Sequence, residues 1–463
     1  MGATNTLQAD LLVIGFGKGG KTVAAKMGLL GKRVVLVEQS DQMYGGTCPN
    51  VGCIPTKALV HHARKRRPED AAQEWYEQSV VKVQAVAKMM RDGSYKGLSS
   101  IDNVTVITGK ASFTDPHTVS VVTGDGHLTI SGETILINTG SEPIVVDIPG
   151  LRASQHTVTS TELIQTAVLP QRLAIIGGGY LGLEFASIYG QFGSKVTVLE
   201  AVPKILKHLD DDVAAIAERI LADEGIEIIN SARVTEVRDG DTGATILYER
   251  NGRQHTLEAD AILAATGRAP ATRDLALDAA GVKTTERGAV EVDEYLRSSQ
   301  SHIYALGDVN GGPQFTYISL DDSRIVLDQL AGERKRSTAD RVAIPHTLFI
   351  TPPLATVGLT EQQARAAGHR IKIASQPVAE IKSMPRAYAV EETRGVMKFV
   401  IDAENDEILG AALLCVDAQE IINTVALAMR QGVKAAELRD AVYNHPTSTE
   451  AFNDALATIT RTD

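Results

Sequence analysis

The sequence lacks most features of a secreted, membrane-embedded or nucleic-acid-binding protein. Its 463 residues include only three cysteines, which is typical of a chain from a reducing compartment. No apolar run reaches the about 20 residues of a membrane span, and residues 1–8 lack the apolar core of a signal peptide. Acidic residues outnumber basic ones, 57 to 46, which disfavours binding to nucleic acid or anionic membranes. These absences predict a cytoplasmic protein without a membrane or nucleic-acid partner.

What is present indicates a globular protein of several domains. Hydrophobic residues make up 43% and charged residues 22% of the chain, the usual proportions of such proteins. The length allows about two to four domains with separate cores.

Two of the three cysteines lie in one stretch, Gly45–Lys57, as Cys48 and Cys53. Pro55 is tolerated in a first helical turn, and helix-forming residues follow it. We therefore predict a loop that leads into a helix with Cys53 near its N-terminus, where a thiolate is stabilised. Lys57 lies one turn later on the same face. A redox dithiol is the favoured interpretation; a structural disulfide or metal ligation are the alternatives, although a closed zinc site needs about four ligands.

A glycine turn connects a strand to a helix near the start of the chain. The apolar segment Leu11–Ile14 precedes the turn, a helical segment runs to about Leu30, and a second strand, Arg33–Val37, ends at an acidic residue. This order predicts a dinucleotide-binding unit, in which glycines admit a pyrophosphate to the helix N-terminus and the acid accepts from a ribose hydroxyl. The motif residues are Gly15, Gly17, Gly20 and Glu38.

The same unit recurs later in the chain at one constant offset. Its motif residues are Gly177, Gly179, Gly182 and Glu200. The repeat predicts two bound dinucleotides. A carboxylate at Glu200 favours a free 2′-hydroxyl over a 2′-phosphate, although Lys204 or Lys207 could still hold a phosphate.

Together these motifs resemble the class I pyridine nucleotide-disulfide oxidoreductases, which include lipoamide dehydrogenase, glutathione reductase and mercuric reductase. The matching stretch reads G-G-T-C-x-N-x-G-C-I-P-T-K. The resemblance implies that the first unit binds FAD, beside Gly46 and Thr47, and that the second binds NADH, with NADPH possible. It implies a redox-active disulfide in which Cys48 is the interchange thiol and Cys53 faces the flavin.

The resemblance extends to further site residues. Glu184 matches the partner of Lys57 beside the flavin, and Tyr180 matches a lid over the nicotinamide; helix packing is the alternative for both. Asp308 ends the strand-like segment Ser301–Asp308 and matches a flavin-binding residue, with a cap or turn role as its alternative. Two strand ends also match cofactor-binding positions: Thr139 with Gly140, and Gly267.

A histidine motif near the C-terminus completes the match. His445 and Glu450 fit the H-P-T-x-x-E pattern, which implies an acid–base pair that reaches the disulfide of the other subunit in a homodimer. Thr447 and Glu450 also fit a helix capping box, and either or both interpretations stand.

The predicted fold class is α/β, with two Rossmann-like dinucleotide-binding domains and a C-terminal α+β dimerisation domain. We expect the FAD-binding domain at 1–150, the NAD(P)H-binding domain at 151–268, an FAD-domain return segment at 269–340 and the dimerisation domain at 341–463. Val104–Ile137 is expected to form a β-meander, and Pro143 with Pro149 a linker.

The identity of the electron acceptor depends on fewer residues than the family resemblance does. The tail lacks the extra cysteine pair of mercuric reductases, and three segments are similar to the bacterial reactive-chlorine-resistance flavoproteins, which reduce cupric ion: Gly15–Lys18, Phe315–Asp322 and Leu414–Asp417. We therefore expect electrons to pass to a thiophilic metal ion such as Cu(II), with Cys48 and Cys53 as transient ligands and no resident metal. The alternatives are a small organic disulfide as substrate, or a redox-sensing flavoprotein without turnover.

A histidine pair and the third cysteine are predicted to have no part in the redox chemistry. His61 and His62 are interpreted as part of a solvated helix face, with copper ligation as the alternative. Cys415 lies in an apolar strand and is expected to be a buried, inert thiol.

Overall fold

The computed structural model describes residues 5–461. The part of the signal-peptide prediction that concerns residues 1–4 lies outside the described residues. None of the helices within 5–461 has the length and apolar character that crossing a bilayer demands.

The strands and helices are numbered in chain order. The strands are β1 (Asn5–Ile14), β2 (Val34–Glu38), β3 (Val104–Thr108), β4 (Lys110–Asp115), β5 (Thr118–Thr123), β6 (Gly126–Ile137), β7 (Ser141–Pro143), β8 (Thr157–Val158), β9 (Arg172–Ile176), β10 (Lys195–Leu199), β11 (Glu227–Ile229), β12 (Arg233–Asp239), β13 (Ala244–Arg250), β14 (Arg253–Ala259), β15 (Ala261–Ala264), β16 (Arg268–Pro270), β17 (Ile303–Ala305), β18 (His346–Leu348), β19 (Leu354–Gly358), β20 (Ile371–Pro377), β21 (Val396–Asp402), β22 (Ile408–Leu414) and β23 (Thr460–Arg461). The α-helices are α1 (Lys18–Leu29), α2 (Thr47–Val51), α3 (Cys53–Arg64), α4 (Ala72–Ser99), α5 (Ser160–Leu163), α6 (Tyr180–Phe192), α7 (Asp211–Asp223), α8 (Thr316–Ala331), α9 (Glu361–Ala366), α10 (Pro385–Ala389), α11 (Ala418–Gln431), α12 (Ala435–Asp440) and α13 (Ala451–Ala455).

The first dinucleotide unit is built on a sheet in the order β3-β2-β1-β6-β5-β4. Strand β17 pairs with the C-terminal end of β6, beyond the residues of β6 that pair with β5. Strands β3, β2, β1, β6 and β17 run parallel. Every residue of β2 is buried, because parallel strands are covered on both faces. The predicted meander is correct only for β4, β5 and β6, which pair antiparallel. The expectation for β3 was wrong, since it extends the parallel sheet beside β2.

The second unit repeats this architecture. Its sheet has the order β11-β10-β9-β15-β8, and α6 follows β9 through the second glycine turn. Pro143 does not lie in a linker, as expected from the sequence. It belongs to β7, which pairs antiparallel with β16, so the two crossings between the units form one two-stranded ribbon.

The C-terminal part is a layer of helices on a sheet in the order β18-β19-β22-β21-β20-β23. Its core includes Phe399 and Phe452, whose rings meet edge to face. Cys415 is fully buried in the same core, and burial raises the pKa of its thiol. The fold class is the expected one: α/β, with two Rossmann-like units and a C-terminal α+β domain.

A buried ion pair supports the loop that ends β17. The Asp322 side chain is almost fully buried, ion-pairs with Arg341 and accepts a 2.6 Å hydrogen bond from the Gly307 backbone. The neighbouring Asp321 also pairs with Arg341, at 2.8 Å, but is more exposed.

We expect Asp322→Ala to lower the free energy of unfolding by about 2–4 kcal/mol, because it leaves the buried Gly307 N–H without its acceptor and removes the more buried of the two carboxylates that pair with Arg341. Asp321→Ala, the matched control, should cost about 1 kcal/mol, as Asp322 still pairs with Arg341. Urea unfolding of the two variants measures both values. An equal cost would contradict the role given to burial.

Candidate active site

The two cysteines lie on consecutive helices rather than on one loop. Cys48 is the second residue of α2, and Cys53 is the first residue of α3. The predicted helix N-terminus at Cys53 is therefore correct, but the preceding loop is a short helix. Asn50 explains the difference, since its amide donates to the carbonyls of Tyr44 and Gly46 at 3.0 and 2.8 Å and closes the turn.

The sulfur pair is asymmetric. Both thiols are free, with Cys53 exposed and Cys48 half-buried. A hydrogen bond from Cys48, another from Thr316 and the charge of Lys57 lower the pKa of Cys53 to about 6, although burial opposes them. The same contact to Cys53, together with burial, raises the pKa of Cys48. The two shifts have opposite directions, so the pair favours the negative charge on Cys53 and the proton on Cys48.

Thr316 is predicted to tune this pair, because its Oγ1 lies 3.6 Å from Cys53 Sγ. Thr316→Val removes a hydrogen bond that favours the thiolate, so the pKa of Cys53 should rise from about 6 toward the about 8.5 of a free thiol. The pH dependence of alkylation at Cys53, read by peptide mass spectrometry on the reduced protein, measures it. Thr256→Val, at an exposed position on β14, is the control and should leave the profile unchanged. An unaltered profile in Thr316→Val would contradict the prediction.

Lys57 is held beside the sulfur pair by an ion pair from another element. Its Nζ lies 2.8 Å from Glu184 Oε2, and Glu184 is buried on α6. The second oxygen of Glu184 accepts from the Phe349 backbone at 3.0 Å, and the Phe349 ring lies 4.5 Å under the amine. The arrangement fixes a cation between α3, α6 and the C-terminal part.

The first glycine turn packs directly against the cysteine segment. A Cβ on Gly46 would lie 2.9 Å from the Cα of Gly17, so only glycine permits this approach. Gly20 donates its N–H to the side chain of Asn138 at 2.8 Å. Glu38 is buried and accepts from Phe16 at 2.9 Å. Thr47 follows Gly46 as the first residue of α2.

A cavity of about 120 Å³ opens at this end of the parallel sheet. Its lining includes Gly15, Glu38, Thr139, Glu142 and Arg273. A glycine of the turn and an acidic residue line this cavity, and α1 begins three residues after Gly15; these are groups that would suit the ADP half of FAD.

Asp308 and the two predicted strand ends meet at the ribbon between the units. Ser141 donates to Asp308 at 2.6 Å, and Arg268 donates to the Ser141 hydroxyl at 2.8 Å. Gly140 and Gly267 both have positive φ, 73° and 120°. Asp308 is therefore part of a hydrogen-bond network around the ribbon, beyond the cap or turn role that was its alternative.

The second glycine turn has the same construction. Glu200 accepts from the backbone of Gly178 and Val202 at 2.7 and 3.0 Å. Gly182 is confined, since a Cβ there would lie 2.0 Å from the carbonyl oxygen of Gly177. Around Gly179 a Cβ would meet nothing within 4 Å, which leaves room beside the helix N-terminus.

Tyr180 lines a cavity of about 460 Å³ between the second unit and the C-terminal part. Its hydroxyl lies 3.0 Å from His208 Nε2, and burial raises the pKa of the phenol. Lys204, a candidate phosphate ligand, is paired with Asp211 and donates to the Leu209 carbonyl at 3.3 Å. The Asp211 side chain is exposed, so this is a surface ion pair, and phosphate binding by Lys204 or Lys207 stays an alternative prediction.

His445 and Glu450 form a pair at the surface. His445 Nδ1 lies 3.0 Å from Glu450 Oε2, and the side chain of His445 is 70% exposed whereas that of Glu450 is 12% exposed. Glu450 Oε1 accepts from the Thr447 backbone at 3.0 Å, but the Thr447 hydroxyl donates to Asn444 instead. The expected capping box is therefore only half formed. No hydrogen bond or ion pair within 5–461 joins this pair to the cysteines of the same chain.

Sequence reasoning missed several residues of the site. Thr316 contacts Cys53 and Phe349 contacts Lys57, although both residues lie far along the chain from the cysteine segment.

His61 and His62 pack ring against ring at 5.4 Å on α3. Within the described part of the chain, no group of three or more His, Cys, Asp or Glu side chains could hold a metal ion.

Two models of one protein family match most of the chain. The model described as pyridine nucleotide-disulphide oxidoreductase matches residues 9–323. The model of the dimerisation domain of the same family matches residues 344–456. The second match covers the C-terminal sheet and its helices.

Curated relatives agree with this assignment. The chain is 44% identical to the probable pyridine nucleotide-disulfide oxidoreductase RclA of Escherichia coli, over 97% of this chain and 98% of that protein. It is 34% identical to a dihydrolipoyl dehydrogenase of Geobacillus stearothermophilus, over 97% of this chain and 96% of that one. A mercuric reductase of Staphylococcus aureus is 33% identical, over 97% and 82% respectively.

Solved structures give the same result. A Cu(II) complex of the HOCl-induced flavoprotein disulfide reductase RclA from Escherichia coli superposes with a TM-score of 0.92 at 43% identity, covering 97% of this chain and 99% of that one. A Cu(II) complex of a cysteine-to-serine mutant of that protein has a TM-score of 0.93 at 43% identity, with the same coverage. The chain belongs to the pyridine nucleotide-disulphide oxidoreductase family, whose members use FAD and a pyridine nucleotide.

Proposed function

We propose that this protein is a cytoplasmic, homodimeric NADH oxidoreductase that passes electrons through FAD and the Cys48–Cys53 pair to a thiophilic metal ion, Cu(II), in defence against reactive chlorine. The observation that carries the proposal is the asymmetric sulfur pair. It sits at the N-terminus of α3, packs against the first glycine turn through Gly46, and has one thiol of low pKa.

The first unit would hold FAD through its glycine turn, Glu38 and the network around Asp308, with Gly46, Thr47, Thr139 and Gly140 beside it. The second would hold the nicotinamide cofactor through its glycine turn, Glu200, Tyr180 and the Gly267 strand end. When bound, FAD accepts two electrons from the reduced nicotinamide and delivers them to sulfur. Because Glu200 is an acceptor and Lys204 is already paired, NADH is favoured over NADPH.

The chain's own residues then manage charge and protons. Lys57, held by Glu184, stabilises negative charge on Cys53. Cys48 is the outer sulfur that meets the acceptor. Its proton must leave as it becomes nucleophilic, and the exposed His445, oriented by Glu450, is suited to accept it from across a dimer interface.

Two arguments support copper as the acceptor: the affinity of soft thiolate ligands for copper, and the similarity to a protein that forms copper complexes. Thiolates bind Cu(I) and other soft ions well. The similar Escherichia coli protein is described as HOCl-induced and forms Cu(II) complexes. The reaction balances when the reduced pair, as one thiol and one thiolate, gives up two electrons and one proton to form the disulfide and reduces two Cu(II) ions to Cu(I).

A small organic disulfide is the second candidate acceptor. The same dithiol would reduce lipoamide or glutathione disulfide by exchange, and two dihydrolipoyl dehydrogenases are 34% and 31% identical to this chain. A redox sensor without turnover is the third.

Anaerobic reduction of the FAD-loaded protein by NADH, followed by a screen of acceptors, tests the proposal. We expect Cu(II) to reoxidise the protein faster than lipoamide or glutathione disulfide, and NADH to act at lower concentration than NADPH. Faster turnover with an organic disulfide would replace copper as the acceptor. Failure to consume NADH with any acceptor would favour the sensor.

A further inference from the structure

Lys21 places an amine beside the segment that carries Cys48. It lies in the first turns of α1 and donates from Nζ to the Ser94 hydroxyl at 3.2 Å. Ser94 in turn packs on the cysteine segment, since a Cβ on Gly45 would lie 2.9 Å from its Oγ and 3.0 Å from Pro49, the residue after Cys48. Lys21 is thus tied, through α4, to the segment that carries Cys48.

Within the described residues 5–461, this amine has no carboxylate partner and donates its hydrogen bond to Ser94. Burial and the charge of Lys18 lower the pKa of Lys21, whereas the Cys48 thiolate opposes that change. A half-buried cation without a counter-charge is costly. Stabilising the fold is therefore a poor explanation for Lys21, and a negatively charged visitor to Cys48 is a better one.

Two other cations surround the same segment. Lys18 lies one turn before Lys21 on α1, on the same face. Arg91, on α4, donates to the Gln42 carbonyl and to the Asn50 side chain at 3.3 Å each. The acid of this segment, Asp41, accepts from the neighbouring Gln42 amide at 3.1 Å. Lys21 and Arg91 contact this segment or a residue packed on it, and their positive charge favours an anion near Cys48.

We propose that Lys21 is a specificity-determining residue that favours acceptors of negative charge at Cys48. The inference rests on the proposed function, and for copper it names the substrate class: Cu(II) carried in an anionic chelate, with carboxylate ligands, rather than the hydrated cation. The positive potential raises the local concentration of an anionic complex and lowers that of a free cation.

The test compares acceptors of opposite charge on the FAD-loaded enzyme. One pair is the dianionic disulfide 5,5′-dithiobis(2-nitrobenzoate) and the dicationic disulfide cystamine; the other is anionic Cu(II)–nitrilotriacetate and cationic Cu(II)–ethylenediamine. For Lys21→Met we expect kcat/KM to fall about tenfold with the anionic acceptors and to stay level or rise with the cationic ones. Lys21→Arg should retain the preference. Lys26→Met, an exposed lysine on the same helix, is the matched control.

The dependence of turnover on salt concentration provides a second measurement. Raising the ionic strength from about 0.02 M to about 0.5 M should weaken turnover of the anionic acceptors by the wild-type enzyme and abolish its advantage over Lys21→Met.

The outcomes separate cleanly. An equal fall with acceptors of both signs would assign Lys21 a structural role and overturn the inference. So would loss of bound FAD with an unchanged charge preference, since the amine would then serve the FAD pyrophosphate. A charge preference with the disulfides but no turnover of either copper chelate would refute copper as acceptor while supporting the role of Lys21. Turnover of both chelates without a charge preference would support copper as the acceptor and overturn the role given to Lys21.

Discussion

Cys48→Ser is expected to reduce turnover with every dithiol-dependent acceptor by about a thousandfold or more, while FAD binding and flavin reduction by NADH persist. The family resemblance assigns the attack on an acceptor to Cys48 once its proton is removed, whereas Cys53, with the lowered pKa at the helix N-terminus, is the sulfur assigned to the flavin. Serine is far less nucleophilic and a poor ligand for soft metal ions. Steady-state oxidation of NADH with Cu(II) and with organic disulfides measures the loss.

The third cysteine serves as the control for this experiment. Cys415 is fully buried in the C-terminal core, so Cys415→Ala should lower stability slightly and leave turnover intact. If Cys48→Ser retained wild-type turnover with all acceptors, the dithiol mechanism would be wrong, and electrons would have to leave the flavin directly.

His445→Ala should lower turnover about 100- to 10,000-fold, the usual contribution of a general acid–base group. Its side chain is 70% exposed and its recorded partner within residues 5–461 is Glu450, so it is accessible for the action across a dimer interface that the family resemblance implies. The pH profile of acceptor reduction and the rate with NADH at saturation provide the readout.

Mixed dimers decide where His445 acts. A Cys48→Ser subunit paired with a His445→Ala subunit retains one complete site if His445 serves the partner's sulfurs, because the remaining Cys48 and His445 then meet. The same dimer is inactive if both residues act within one chain. Recovery of about half the wild-type turnover is therefore expected. Inactive mixed dimers would show that His445 does not act on the sulfurs of the partner subunit.

A matched surface pair controls for the loss of a histidine. His369 Nδ1 lies 3.0 Å from Asp402, with partial exposure like that of many surface pairs. His369→Ala should change stability slightly and turnover not at all. Glu450→Gln, which keeps the size but removes the charge beside His445, should give a smaller loss than His445→Ala.

Local sequence was sufficient for features whose partners lie nearby in the chain. The glycine turns with Glu38 and Glu200, and the start of α3 at Cys53, follow from backbone geometry and helix polarity within one short segment. The short α2 was not foreseen, because it depends on how Asn50 folds back on Gly46. The parallel position of β3 was missed because the same alternating residues suit either direction of pairing.

By itself, the sequence determined the two dinucleotide units, the redox stretch and the pairing of His445 with Glu450, since each is a short pattern whose chemistry depends on spacing along the chain. Only the tertiary structure decided which distant groups meet them: Thr316 at Cys53, Phe349 at Lys57, and Lys21 beside Cys48. These contacts join residues that are far apart in the chain. They arise from the packing of whole helices and sheets against each other, which no local pattern encodes.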